Sequence, residues 1–274
     1  MIKRYLKSFD GAKIYYHKTQ KDKKKCLIFL HGLGGDLTAW ENERRYFDRL
    51  GFSTIAVDLR GHGFSDRSTN KAFYDFKNFA EDVKSIIEQE EISAPILVGH
   101  CLGGMVSMYF NNLYPTYSKS LVLIDTSYKI PFFSDHPVCT VFLSSILEKF
   151  AAISPQRHIQ RHIHFQNFHN TTDLDLRRLL SDILHTSFRS YFLICSNFIE
   201  YDATTLLERI SVPSLIIEGL KDSIFTPDIA FQLRERIKYS DIELIPKANH
   251  ILVITAPKEV NTTIEKYLVK IGFL

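Results

Sequence analysis

The chain has 274 residues, of which 45% are hydrophobic and 24% charged, a composition that excludes a disordered or membrane-embedded chain and points to an ordinary globular fold. A formal net charge of +3 is too mild to argue for nucleic acid as a partner. Cys26, Cys101, Cys139 and Cys195 are scattered with no CxxC pair, which argues against a disulfide framework or a zinc knuckle.

From the N-terminus, residues 2–9 and 13–18 alternate apolar and polar side chains around Asp10-Gly11, a hairpin signal. The run from Lys21 to Lys25 is a solvated loop. Residues 26–30 form a short apolar strand, opened by Cys26 as a small apolar filler, that stops at His31-Gly32-Leu33-Gly34-Gly35. A helix pattern over 38–50 ends at Gly51, and a buried strand over 54–57 ends in Asp58. A long amphipathic helix spans 73–89. Strands over 96–98 and 120–124 follow, the second ending in Asp125. From 130 to 197 no β pattern is found, only helical segments such as 141–152 and 174–185. Strand and helix then alternate again: 214–217, 227–237, 242–245 and 257–271. The start of the chain shows no signal-peptide core, and no apolar run is long enough to span a bilayer, which predicts a cytoplasmic chain with no membrane association and a reduced thiol at position 101.

This rhythm predicts an α/β fold: a mostly parallel eight-stranded sheet with helices on both faces. The helical block interrupts it after the sixth strand. It reads as a lid (130–197) inserted into a core made of 1–129 and 198–274, over the carboxyl ends of the strands where open α/β sheets place their sites.

The chemistry-bearing residues all fall just after strands, so they converge on one edge of the sheet. Gly99-His100-Cys101-Leu102-Gly103-Gly104 lies between the strand over 96–98 and an apolar helix pattern from Met105 on. Small residues on both sides of one side chain at a strand-to-helix turn make a nucleophile elbow, which pushes that side chain, here Cys101, up toward solvent. The helix N-terminus favours a thiolate there. His100 points elsewhere at such a turn and reads as packing. His250, in the loop after the last strand, is the candidate base, and Asp222, after the strand over 214–217, the candidate acid. The order nucleophile, acid, histidine favours Asp222 over Asp125. The oxyanion hole needs two backbone N–H groups, assigned to Leu102 and to Leu33 in the glycine loop. The turn Asp58-Leu59-Arg60-Gly61-His62-Gly63-Phe64-Ser65-Asp66 reads as a hydrogen-bonded brace beneath the site. His158 and His162 have helical i, i+4 spacing, but no carboxylate or cysteine stands at matching spacing, so His158, His162, His164 and His169 read as helix surface or pocket wall, with no metal site.

Together the hairpin start, His31-Gly32, the turn from Asp58 to Asp66, the elbow, Gly219-x-x-Asp222 and His250 resemble the α/β-hydrolase superfamily over essentially the whole chain. The nearest likeness is to lidded esterases, in which serine occupies the position of Cys101; dienelactone hydrolases and polyhydroxyalkanoate synthases carry cysteine there. The resemblance implies acyl transfer through a covalent acyl-enzyme on Cys101, with His250 and Asp222 completing the triad. A thiolate is also a good leaving group, so activated esters, lactones or thioesters are expected over amides. Cys101 cannot form the alkyl-carboxylate ester of dehalogenases and epoxide hydrolases. The expectation is a carboxylic-ester hydrolase, or else an acyltransferase using the same thioester. It works without a cofactor on a small acyl substrate, as a monomer or homodimer.

Overall fold

The computed structural model describes residues 2–274; Met1, the first residue of the predicted core, lies outside them. Eight strands form one sheet: β1 (Ile2–Lys7), β2 (Lys13–Thr19), β3 (Cys26–Leu30), β4 (Ser53–Val57), β5 (Ile96–His100), β6 (Ser120–Ile124), β7 (Ser214–Gly219) and β8 (Ser240–Ile245). Their order across the sheet is β1-β2-β4-β3-β5-β6-β7-β8. β1 and β2 pair antiparallel, as does β2 with β4; every later pair is parallel.

Period-two alternation explains why the central strands are apolar throughout. Ile28, Leu30, Leu97, Leu121, Leu123 and Ile216 point to one face, where they meet Phe79 and Val83 of α2 (Phe76–Gln89), Met105 and Val106 of α3 (Leu102–Leu113), and Leu233 of a later helix. Leu27, Phe29, Ile96, Val98, Val122, Ile124 and Ile217 point to the other. There they meet Trp40, Phe47 of α1 (Glu41–Arg49), and Ile264 and Leu268 near the C-terminus. Helices therefore cover both faces, as the alternation predicts.

Between β6 and β7 the chain forms α4 (Pro131–Asp135), α5 (Pro137–Ile153), α6 (Leu176–Thr186) and α7 (Phe188–Ile199). α8 (Pro227–Arg236), α9 (Leu252–Thr255) and α10 (Pro257–Lys270) complete the fold. No helix among the described residues is long and apolar enough to cross a membrane. Two predicted helices are shorter than expected. The run over 38–50 opens with a 3₁₀ turn at Leu37–Trp40 capped by the Asp36 carboxylate, and the run over 73–89 breaks at Asp75, which is extended. A side-chain cap at Asp36 and at Asn70 ends the preceding loop before the α-helix begins. The helix Phe188–Ile199 is hidden in the sequence because Ser187, with φ of 81°, separates it from α6 without a glycine or proline to mark the break.

Beneath the β5–α3 turn, backbone meets backbone. A Cβ on Gly99 would lie 2.3 Å from the Gly103 carbonyl oxygen, and one on Gly103 would lie 2.1 Å from that of Leu30. Only hydrogen fits at these two positions. Gly103→Ala is expected to cost about 3 kcal/mol of stability through overpacking against immobile backbone, measured as a lowered urea midpoint with unchanged m-value. A loss under about 0.5 kcal/mol would show that α3 does not sit so close to β3.

Candidate active site

The turn that follows β5 holds Cys101 at φ 51° and ψ −115°, a conformation unfavourable for any side chain but glycine. It persists because the neighbours over-determine it. The Cys101 N–H donates to the Ile124 carbonyl (3.0 Å), and its own carbonyl accepts from the Thr126 hydroxyl (2.7 Å). Leu102 opens α3, so its N–H has no intrahelical acceptor. The Leu33 N–H likewise has no hydrogen-bond partner among the described residues.

The loop after β8 delivers His250 and the loop after β7 delivers Asp222. His250 Nδ1 donates to Asp222 Oδ2 at 2.7 Å. The other Asp222 oxygen accepts from the N–H groups of Ile224 (2.6 Å) and Phe225 (2.8 Å), so one carboxylate both fixes its own loop and orients the imidazole. The Cys101 sulfur lies beside the same ring. Burial works against a charged imidazole here, but the Cys101 sulfur and Asp222 outweigh it and hold His250 protonated well above the usual histidine range. His250 thus stands between the Asp222 carboxylate and the Cys101 sulfur.

The expected exposure of Cys101 is not what the structure shows. Its exposure is 7%, because residues of the helical segment between β6 and β7 close over the elbow. Cys101 instead opens onto a cavity of about 180 Å³, whose walls include Leu33, Phe165, Phe198, Ile224 and Ile254. The polar part of that wall includes Arg178, which donates to Asp182 Oδ2 (2.6 Å) and to the Asp173 carbonyl (2.9 Å). Burial pushes Asp182 up to about 7 despite Arg178.

His100 is buried packing, as predicted, and it also supports the base, since its Nε2 donates to the His250 carbonyl at 2.7 Å. Burial pushes its pKa down to about 3, so the ring is neutral. The turn from Asp58 to Asp66 is the expected brace. Leu59 N–H donates to His31 Nε2 (3.0 Å), leaving His31 Nδ1–H to hold the Gly32 carbonyl (2.8 Å). Gly34 N–H donates to His62 Nε2 (3.1 Å). Two neutral histidines, kept so by burial, therefore fix the loop that carries Leu33. Arg60 is fully buried and forks onto Asp82 with two bonds of 2.7 Å. The helical spacing of His158 and His162 is not realised, since residues 155–164 are irregular; His162 instead bonds Asp58 at 2.8 Å, and that carboxylate holds its pKa up against burial.

Among the described residues, two groups of ligand-type side chains come within 4.8 Å of one another: His100, Asp125 and His250, and Asp125, Glu218 and Asp222. Asp222 and His100 already spend their ligand atoms on His250. The second group is better described as a nest of carboxyls. Burial, with Asp125 and Asp222 nearby, pushes Glu218 up to about 10, so it keeps a proton. Asp173, from the segment between β6 and β7, ties the nest's loops together: one oxygen accepts the His250 N–H (2.9 Å), the other the N–H (2.9 Å) and hydroxyl (2.8 Å) of Ser223. Sequence reasoning misses both Glu218 and Asp173. A charge inside an otherwise apolar strand is a signal that could have found Glu218; nothing marks Asp173.

Residues 25–257 match the family model described as the alpha/beta hydrolase fold. The chain belongs to the α/β-hydrolase fold family. It is similar to human Protein ABHD8 (25% identity, 88% of this chain, 54% of that protein), so it spans about half the length of that relative. It is also similar to 3-oxoadipate enol-lactonase 2 of Acinetobacter baylyi (26% identity, 88% of each chain). Among solved structures, a thermophilic esterase from Thermogutta terrifontis superposes with a TM-score of 0.77 at 20% identity, covering 98% of this chain and 99% of its own.

The raised pKa of Glu218 has a consequence for stability. Between the ordinary glutamate range and about 10 the folded state keeps a proton that the unfolded state has lost, so stability falls as pH rises through that window. Glu218→Gln, which keeps the shape of the neutral acid and cannot ionise, is expected to be more stable than the parent by at least about 1 kcal/mol at pH 8. The difference should vanish near pH 4 in urea titrations; a difference independent of pH would place an ionised Glu218 in the fold.

Proposed function

We propose that this protein is a carboxylic-ester hydrolase that works through an acyl-enzyme on Cys101. The observation that carries the reading is His250, hydrogen-bonded to Asp222 through Nδ1, set beside the Cys101 sulfur, and held protonated by both. The reacting form is a Cys101 thiolate beside the His250 imidazolium. The sulfur attacks the ester carbonyl, and the N–H groups of Leu33 and Leu102 receive the oxyanion. Collapse breaks the ester C–O bond, and His250 gives its proton to the departing oxygen. The neutral imidazole then takes a proton from water, whose oxygen attacks the thioester and restores Cys101. Asp222 holds the tautomer and stabilises the cation throughout.

The enol-lactonase among the relatives acts, by its name, on a cyclic ester, which supports this class of substrate. Activated esters, lactones or thioesters suit a sulfur nucleophile, since a poor leaving group would return the tetrahedral adduct to substrate. Residues 130–197 serve as the lid of the core formed by 1–129 and 198–274, and contribute Phe165, Arg178 and Tyr191 to the cavity wall. Four unpaired cysteines fit a reducing, cytoplasmic setting.

With p-nitrophenyl acetate, Cys101→Ala is expected to lose at least about 10³-fold in kcat/KM, while Cys101→Ser keeps measurable turnover. Full activity in the alanine variant would overturn the mechanism. Adding methanol and assaying methyl acetate separates water from alcohol as the acceptor. The small cavity makes a second demand: p-nitrophenyl acetate and butyrate should be turned over at least about tenfold faster than the decanoate. Equal rates would mean that the lid opens widely before chemistry.

A further inference from the structure

Asp125 sits against the His250–Asp222 pair, and the mechanism above gives it nothing to do. Three observations mark it. Its φ is 40°, a left-handed backbone that a non-glycine residue keeps only where its surroundings impose it. It is fully buried, with Oδ1 accepting the Gly219 N–H (2.9 Å) and Oδ2 without a hydrogen-bond partner among the described residues. Its carboxyl lies within 4.8 Å of a His250 ring nitrogen and, in the second group, of Asp222 and Glu218. Asparagine would accept from Gly219 equally well and tolerates the same backbone, so the local turn does not require an acid here.

Three carboxyls this close cannot all ionise. Asp222 is the one fixed by hydrogen-bond donors on both oxygens, namely His250, Ile224 and Phe225. Glu218 is pushed up to about 10 by burial and by Asp125 and Asp222, so it keeps its proton. The groups facing Asp125 are His250, Asp222, Glu218, His100 and Cys101. Burial, opposed by His250 and reinforced by Asp222, keeps Asp125 protonated well above the usual carboxylate range.

We propose that Asp125 is a reserve carboxylate for His250: the nest carries one negative charge, resident on Asp222, and that charge moves to Asp125 when Asp222 is neutralised. The inference rests on the assignment of Cys101, His250 and Asp222 as the triad. The step is a proton loss alone. The Asp125 O–H bond breaks, its electron pair stays on the carboxylate, and the proton passes to water. Asp125 is a positioning residue, since it acts on the reaction only through the imidazolium.

The test compares the parent, Asp222→Asn and Asp222→Asn/Asp125→Asn across pH. Two readouts are followed: kcat on p-nitrophenyl acetate, and the rate of iodoacetamide alkylation at Cys101, located by peptide mass. Asp222→Asn should lose about 10²-fold in kcat rather than the roughly 10⁴-fold seen where no second acid is present, with KM little changed. Both its rates should climb as Asp125 ionises, at a pH above the ordinary carboxylate range. The double variant should lose about a further hundredfold, the remainder of that gap, and the climb should disappear. A packing role for Asp125 would move neither profile, and superimposable profiles for the single and double variants overturn the proposal. If the double variant does not fold, the infrared carbonyl stretch of protonated carboxyls decides. At pH 7 it should be present in the parent and reduced in Asp125→Asn; an unchanged band overturns the proposal. Alkylation profiles that separate the variants, in a protein that does not turn over the ester, would refute the hydrolase reading and leave the charge nest standing.

Discussion

The approach of β3 and β5 to the start of α3 is the constraint on which the site depends. With no Cβ at Gly99 or Gly103, the helix begins almost in contact with the Leu30 carbonyl. That closeness turns the chain so sharply that Cys101 must take up a positive φ. The strain is held by long-range partners, the Ile124 carbonyl and the Thr126 hydroxyl, both at the end of the neighbouring strand. One packing contact therefore sets where the sulfur stands, leaves the Leu102 N–H free at the helix start, and aligns both with the loops after β7 and β8. A parallel sheet does the rest, because every βα loop emerges at the same edge.

The histidines show how burial and partners divide the labour. His31, His62 and His100 are all buried and all neutral, each donating to a main-chain carbonyl: Gly32, Arg60 and His250. They act as rigid struts that carry no charge. His250 is equally buried, yet it is the one in this set held as a cation, because it alone lies between a sulfur and a carboxylate. The same side chain thus serves as scaffold or as proton carrier, and which role it takes is set by its neighbours.

Much of this is legible in the sequence, and for physical reasons. Buried parallel strands are short apolar runs, and a strand followed by a helix pattern leaves little choice of topology. The glycines of the elbow, Asp222 and His250 are legible because each directly follows a strand. What the sequence does not show depends on the segment between β6 and β7. Its exposed Val138, Phe142, Leu174 and Leu176 blur the amphipathic pattern, and it follows no strand order. Hence Asp173, which clamps the His250 and Asp222 loops together, is invisible, and Cys101 is expected in the open when the same segment covers it. The His158–His162 spacing misleads for the opposite reason. Periodicity alone suggests a helix where the chain instead reaches across to Asp58.

The covalent acyl-enzyme is the central claim, and the most direct measurement is intact mass after rapid acid quench of the protein mixed with p-nitrophenyl acetate. The mechanism predicts a species heavier by a single acetyl group, with peptide mapping placing that group on Cys101, and its decay at the rate of steady-state turnover. Turnover with no acetylated species at any quench time, or an acetyl group on exposed Cys139 that forms and decays unchanged in Cys101→Ala, would contradict it.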